Sequence, residues 1–241
     1  MVYTYADIAK MIDHALLVPT MTTAELEAGI DLAIAYEVAS VCVMPYYLKK
    51  CSSRLADTSV KASATIGFPH GVSEASVKLA EAKQSIADGC EELDVVVNIS
   101  RVLSDDWGYV RDELGSIIQV SHAAQRKVKV IFENCYLEES HKKSLCELCN
   151  ELNADWVKTS TGFGSSGATM DDLKLMCQHA AEHVQVKAAG GVRDLDSVLA
   201  IRSLGVTRIG TSRTQGLLNE CRTRLGLSEI TADSASDDGE Y

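Results

Sequence analysis

The segment that decides the fold reads ADWVKTSTGFGSSGATMDDLKLMCQHAAEHVQVKAAGG, residues 154–191. It opens on strand-forming residues, 154–159, and breaks into a glycine- and serine-rich loop. After the capping candidate Thr169 it places Leu173, Met176, Cys177 and Ala180 at helical spacing. A second strand-sized run, 184–189, follows and ends on Gly190 and Gly191. Two strands joined through a helix have too long a connection for a hairpin, so they are predicted to lie parallel with a right-handed crossover.

The same unit recurs outward in both directions. Further strand-like runs fall near 11–17, 38–43, 60–66, 91–98, 127–133 and 206–210. Between them lie helical stretches with recognisable ends. One is expected to start at an N-cap Ser73, carry Ala75, Leu79, Ala82 and Ile86 on one face, and stop at Gly89. Another shows the stripe Leu145, Leu148, Cys149 and Leu152, and a third runs from Asp194 to Gly205. No hairpin signal and no doubled helix interrupts the alternation. Eight units in 241 residues give ~30 residues each, the size of one turn of an eightfold barrel. An open doubly wound sheet has fewer strands, and no Gly-x-Gly-x-x-Gly follows the first strand. The expected architecture is therefore α/β, a single (β/α)8 TIM barrel over residues 1–227 followed by an acidic, mobile tail, 228–241. Pro19, Pro45 and Pro69 fall just after the first three strands and mark the end of the barrel where active sites are built.

With 34 acidic and 23 basic side chains the chain carries a net charge of −11. That balance argues against nucleic-acid backbones and anionic membrane surfaces as partners. Setting aside the five acids of the tail leaves −6 on the barrel, so an anionic substrate must be captured by a local positive site, to which Arg193 can contribute, rather than by the net field. No apolar run approaches the ~20 residues of a spanning helix. Asp7, Lys10 and Asp13 interrupt any signal-peptide core, and a cytoplasmic location is expected. Eight scattered cysteines read as reduced thiols, and the close pair Cys146 and Cys149 reads as helix packing rather than a zinc or redox motif.

Two lysines stand out because each sits in a strand-like, buried run: Lys158 in Val157-Lys158-Thr159 and Lys187 in Val186-Lys187-Ala188. A buried lysine must be paired, deprotonated or reaching water. Two on neighbouring strands near the active end lower each other's basicity, and one can serve as a free amine that forms a Schiff base. Asp94, in the apolar run 93–97, is expected to pair with these lysines and to act as a general acid/base. The loops Thr159-Ser160-Thr161-Gly162, Gly190-Gly191-Val192-Arg193 and Gly210-Thr211-Ser212 offer backbone amides and helix starts to a phosphate. Cys42 on the second strand reads as a small core residue, open to alkylation if it faces the pocket. Lys129 and Glu133, on one face of the fifth strand, are expected to form an interior ion pair without a catalytic role. Two other readings stay open on these residues. One is a sugar-phosphate isomerase or synthase whose lysines only neutralise charge; the other is a non-catalytic barrel that binds a phosphorylated metabolite.

The blocks Ile12-Asp13-His14, Val41-Cys42-Val43, Gly67-Phe68-Pro69-His70-Gly71, Glu92-Leu93-Asp94, Lys158-Thr159-Ser160-Thr161-Gly162-Phe163 and Lys187-Ala188-Ala189-Gly190-Gly191-Val192-Arg193 occur in this order along the chain. In them the sequence resembles the deoxyribose-phosphate aldolases, a Schiff-base-forming aldolase family. The resemblance implies Lys158 as the imine-forming lysine, Lys187 as the lysine that perturbs it, and Asp94 as the proton shuttle. It implies a phosphate held by Gly162, Gly190, Gly191 and Ser212, with Thr211 beside them, and gives Asp13 and Cys42 places in the site. The implied partners are a phosphorylated sugar and small aldehydes; no metal and no cofactor is implied, since an iminium does the electrophilic work. A homodimer is expected only as the commonest soluble assembly. Ala15 stands where many members have a threonine, and Phe163 where some have a lysine facing the phosphate. Some members also end in a tyrosine that reaches the site, which points to Tyr241.

Overall fold

The computed structural model describes residues 3–231. Eight strands, β1 (Ile12–Leu16), β2 (Ser40–Val43), β3 (Lys61–Ile66), β4 (Glu92–Val96), β5 (Lys127–Ile131), β6 (Trp156–Lys158), β7 (Gln185–Ala189) and β8 (Arg208–Thr211), pair parallel in chain order. The ring closes where Asp13 of β1 lies opposite Gly210 of β8. All eight strand expectations are met, and the connections are helical, α2 (Thr23–Ala35), α3 (Pro45–Leu55), α4 (Ala75–Ala87), α6 (Trp107–Ala123), α7 (Glu139–Glu151), α8 (Met170–His179), α9 (Leu195–Ser203) and α10 (Thr214–Arg224).

Local chemistry explains most helix ends. Thr22 and Glu25 form a reciprocal capping box at α2, and Thr169 and Asp194 accept from the backbone N–H three residues on at α8 and α9. Gly89 and Gly205 take φ of 95° and 98° just past α4 and α9, the left-handed conformation that glycine adopts without steric cost. Two expectations need correcting. Ser73 does not cap α4: the helix starts one residue later, because the Glu74 carbonyl accepts the first helical bonds from Val77 and Lys78, and Glu74 makes no side-chain cap. The alternation is also not strict. A short helix, α1 (Tyr5–Ala9), precedes β1, and α5 (Ile99–Leu103) doubles the connection after β4. Asn98 caps α5, Asp105 turns the chain with φ of 53°, and Asp106 caps α6, so three polar residues split one connection into two helices too short and too close to separate by period.

The two faces of the strands differ in kind. Outward residues such as Val41, Val43, Leu93, Val95, Val128, Val130, Val157, Val186 and Ile209 are buried against the helices and form the main core. Inward residues stack in three layers of four, contributed alternately by even and odd strands. From the N-terminal end these are Ser40, Glu92, Trp156 and Arg208; then Asp13, Ser63, Lys129 and Lys187; then Cys42, Asp94, Lys158 and Gly210. Barrels of this kind usually fill these layers with branched apolar side chains. Here they are mostly polar or charged, and that substitution creates the site.

Candidate active site

Burying ions is costly unless each finds partners, so the interior is best read partner by partner. Asp94, fully buried, accepts hydrogen bonds from Lys158 Nζ at 2.7 Å, Lys187 Nζ at 2.7 Å, Lys129 Nζ at 2.9 Å and Ser63 Oγ at 3.2 Å. Asp13, also fully buried, accepts from Lys187 Nζ at 2.5 Å, Ser40 Oγ at 2.6 Å and the Arg208 guanidinium at 2.6 Å, and pairs with Lys129 at 3.1 Å. Glu92 holds Arg208 through both carboxylate oxygens, at 2.9 and 3.2 Å, and Lys129 at 2.6 Å. The Arg208 guanidinium lies 4.8 Å over the Trp156 ring, whose π face receives it.

The number of carboxylates per lysine sorts the amines. Burial disfavours the charged form of all three. Lys129 touches three carboxylates, Asp13, Asp94 and Glu92, which outweigh burial and hold it well above the ordinary lysine range. Lys187 touches two, Asp13 and Asp94, and is also raised. Lys158 touches only Asp94 and has Lys187 as a cationic neighbour, so burial prevails and its amine is lowered. Burial likewise opposes ionisation of Asp94, but Lys129, Lys158 and Lys187 together hold its carboxyl well below the usual range.

Above the third layer the barrel opens. The opening is lined by Asp13, Cys42, Lys158 and Lys187 at its base and by Gly162, Gly190, Gly191, Thr211 and Ser212 around its rim, with Arg193 and Arg213. Small residues make room for it: Ala15 and Ala189 line it, and Gly210 carries no side chain beside Lys187. Asp94 does not line the opening; it is fully buried and is joined to it through the Lys158 and Lys187 amines that it contacts. Cys42 does face the opening but is 2% exposed, and burial pushes its thiol up to about 11.

The rim is built for close backbone approach. Gly190 and Gly191 adopt φ of 79° and 81°, and a Cβ on Gly167 would lie 2.3 Å from the Gly190 carbonyl oxygen. Among the helix starts facing it, that of α9 already carries the Asp194 carboxylate, which accepts from Ser197 N at 2.7 Å. The start of α10 has Arg213 at its N-cap position with no side-chain cap, leaving its amides as the better anion seat. Just after β5, Glu133 sits at φ 59°, buried, and accepts from the Thr161 N–H at 3.2 Å and from the Thr161 hydroxyl, which pins the loop after β6. Burial raises the Glu133 carboxyl above its ordinary range.

Thus the structure brings together Lys158, Lys187, Asp94, Asp13, Cys42, Gly162, Gly190, Gly191, Thr211 and Ser212 at one end of the barrel. Tyr241 lies outside the described residues. The expected Lys129–Glu133 ion pair is not formed: Lys129 turns inward to Asp13, Glu92 and Asp94, whereas Glu133 lies beyond the strand and serves Thr161. Phe163 does not line the opening but packs edge-on against Phe68, ring centroids 5.3 Å apart. The sequence reading missed Glu92 and Arg208. Their signal was the inward period of two, which places Glu92 two residues before Asp94 and Arg208 two before Gly210.

The chain matches the model of the DeoC/LacD family of aldolases over residues 8–210. It is 63% identical over 236 residues to the deoxyribose-phosphate aldolase of Rhodopirellula baltica, covering 97% of this chain and 98% of that protein. Among solved structures, the aldolase QR15 superposes with a TM-score of 0.86 at 37% identity, covering 91% of this chain and 97% of that one. The deoxyribose phosphate aldolase of Aeropyrum pernix, described as a unique tetramer, superposes with a TM-score of 0.85 at 29% identity over 92% of this chain and 93% of its own.

Proposed function

The chain belongs to the DeoC/LacD family of aldolases, and we propose that it reversibly cleaves 2-deoxy-D-ribose 5-phosphate to acetaldehyde and D-glyceraldehyde 3-phosphate through an imine on Lys158. The observation that carries this reading is the partner count: of the three lysines in the barrel interior, Lys158 alone has a single carboxylate and a lowered amine, and it faces the opening.

In this scheme the neutral Lys158 amine attacks C1 of the open-chain aldehyde, and loss of water gives the iminium. The C3 hydroxyl gives up its proton, the C2–C3 bond breaks, and its electron pair moves to C2 as the iminium becomes an enamine. Glyceraldehyde 3-phosphate leaves; protonation of the enamine at C2 and hydrolysis then release acetaldehyde and the amine. Asp94 is assigned the proton shuttle, working with the Lys187 ammonium hydrogen-bonded to it, and Lys187 is the cationic neighbour that lowers the Lys158 amine. Gly162, Gly190, Gly191, Thr211, Ser212 and the start of α10 are assigned to the phosphate, with Arg193 and Arg213 supplying charge at the rim. No metal enters this scheme.

The wider assignments follow from the same reading. Residues 1–227 form the catalytic barrel and 228–241 an appended acidic segment, with Tyr241 a second source of the enamine proton. The enzyme acts in the cytoplasm as an assembly of identical chains, a homodimer being the starting expectation, on phosphorylated sugars and aldehydes rather than on nucleic acids or membranes. Among the described residues no helix is long and apolar enough to cross a membrane, and all eight cysteines are free thiols.

Borohydride reduction in the presence of acetaldehyde tests the core of the proposal. The expected result is one covalent ethyl adduct, on Lys158, absent from Lys158→Leu. A barrel that only binds or isomerises a sugar phosphate gives no adduct, and an adduct on Lys187 reverses the assignment of the two lysines.

A further inference from the structure

The barrel interior contains three carboxylates, Asp13, Glu92 and Asp94, and four basic side chains, Lys129, Lys158, Lys187 and Arg208, all joined by direct contacts. The count is uneven by one. If Lys158 is neutral, the remaining three cations balance the three carboxylates. Two of these six balancing charges, Glu92 and Arg208, lie in the layer farthest from the opening and line none of it. They are nevertheless tied tightly into the network. Glu92 spans Arg208 and Lys129, and Arg208 takes Asp13 Oδ1 while Lys187 takes Oδ2.

The surroundings leave few other groups to set this balance. Facing Lys158 are Asp94 from β4, Lys187 from β7, Cys42 from β2 and, more remotely, Glu133 after β5. Facing Arg208 are Asp13 from β1, Glu92 from β4 and Lys129 from β5, with Lys10 from the connection after α1. The thiol of Cys42 is protonated at neutral pH, and Arg193 and Arg213 belong to the solvent-facing rim.

We propose that Glu92 and Arg208 are positioning residues that fix the net charge of the buried network and so keep the Lys158 amine uncharged and nucleophilic, although neither reaches the substrate. Removal of Arg208 leaves one carboxylate unbalanced, and the nearest group able to supply a positive charge is Lys158. Removal of the Glu92 charge leaves one cation in excess and drives Lys158 further toward the free amine. In both cases the effect travels through Asp13 and Asp94, each of which contacts both Lys129 and Lys187.

This inference rests on the imine reading, and the test separates the two. Full-length enzyme is incubated with acetaldehyde and cyanoborohydride from pH 5 to 10, and alkylation of Lys158 is followed by peptide mass spectrometry. Imine formation needs the free amine, so the rate falls below the pH at which Lys158 takes up its proton. Arg208→Gln is expected to move that inflection up by about one pH unit, slowing labelling roughly tenfold on the acid side. Glu92→Gln is expected to move it down, the double variant Glu92→Gln/Arg208→Gln to bring it back to the parent value, and Arg208→Lys to leave it in place. A merely structural role predicts slower labelling without opposed shifts and without cancellation in the double variant, and that result overturns the proposal. So does a Glu92→Gln profile that stays in place. Should Arg208→Gln fail to fold, the Glu92→Gln shift and its reversal in the double variant decide the matter. Absence of labelling at Lys158 in the parent enzyme overturns the imine reading instead.

Discussion

Two lysines of this molecule are buried with one carboxylate each, and only one of them is placed to do chemistry. Lys78, on α4, is fully buried between helices, where Nζ donates to the Glu113 carboxylate of α6 at 2.9 Å and to the Val96 carbonyl at 2.8 Å. Lys158, at the end of β6, is nearly as buried and pairs with Asp94 at 2.7 Å. In both, burial outweighs the single carboxylate and the amine is lowered from its ordinary range. Lys129 and Lys187, with three and two carboxylates, go the other way. One partner does not offset burial in this molecule, and two do. What separates Lys158 from Lys78 is access: Lys158 lines an opening, whereas Lys78 is sealed between α4 and α6 and also fixes the chain after β4, since Glu113 accepts from Asn98 N.

The widest separation of the two lysines is expected in turnover. Lys158→Met should lose at least ~10³-fold in the rate of aldol cleavage, since no other group supplies the nucleophile. Lys78→Met should retain parent turnover per folded molecule, measured after correcting for the folded fraction. Equal losses in both would erase the distinction.

Stability is expected to reverse the order. Removing one partner of a buried pair leaves the other uncompensated, so Lys78→Met should cost about 3–5 kcal/mol in denaturant unfolding, much of it recovered in Lys78→Met/Glu113→Leu. Lys158→Met should instead gain about 1 kcal/mol, the usual exchange of stability for function at a site. The pH dependence follows in sign. An amine with its folded pKa below the unfolded value of ~10.4 binds its proton more weakly when folded, so it contributes stability that rises with pH between the two values. The gain in Lys158→Met should therefore be largest below the folded pKa of Lys158 and vanish as the pH approaches that of free lysine.

A second carboxylate should convert Lys158 into a lysine of the Lys187 kind. Cys42 occupies the same layer as Asp94 and Lys158 and faces the opening, so Cys42→Asp is expected to raise the pH needed for cleavage by about one unit or more and to slow the reaction about tenfold at neutral pH. Unchanged pH dependence would show that partner number does not control the amine. The last comparison is at Cys42 itself. With its thiol pushed up to about 11, alkylation by iodoacetamide at pH 7 should lag that of the more exposed Cys135 at least tenfold, as read by peptide mapping.

Much of the barrel was legible because its evidence is periodic and local. Eight strand-sized runs and the helix caps at Thr169 and Asp194 depend on neighbours a few residues away. Lys158, Lys187 and Asp94 were legible because charges inside apolar runs stand out. Lys78 was hidden because a lysine in a helix gives no such contrast; its helix buries the line Lys78, Ala82 and Ser85, with Ala75, Leu79 and Ile86 only flanking it. Glu92 and Arg208 were hidden for another reason. Each begins a strand, where a charge normally faces solvent, and only closure of the ring places them together across 116 residues of chain. The loop clamp by Glu133 on Thr161 likewise depends on two connections meeting, 28 residues apart in sequence.

The central claim is that Lys158 is the uncharged member of a balanced buried network, and its most direct test is nitrogen-15 NMR of the lysine side chains in labelled enzyme at pH 7, with Nζ resonances assigned by single Lys→Met variants. A free-amine signal for Lys158 alongside ammonium signals for Lys129 and Lys187 is the predicted result. An ammonium at Lys158, or a free amine at Lys187, would contradict it.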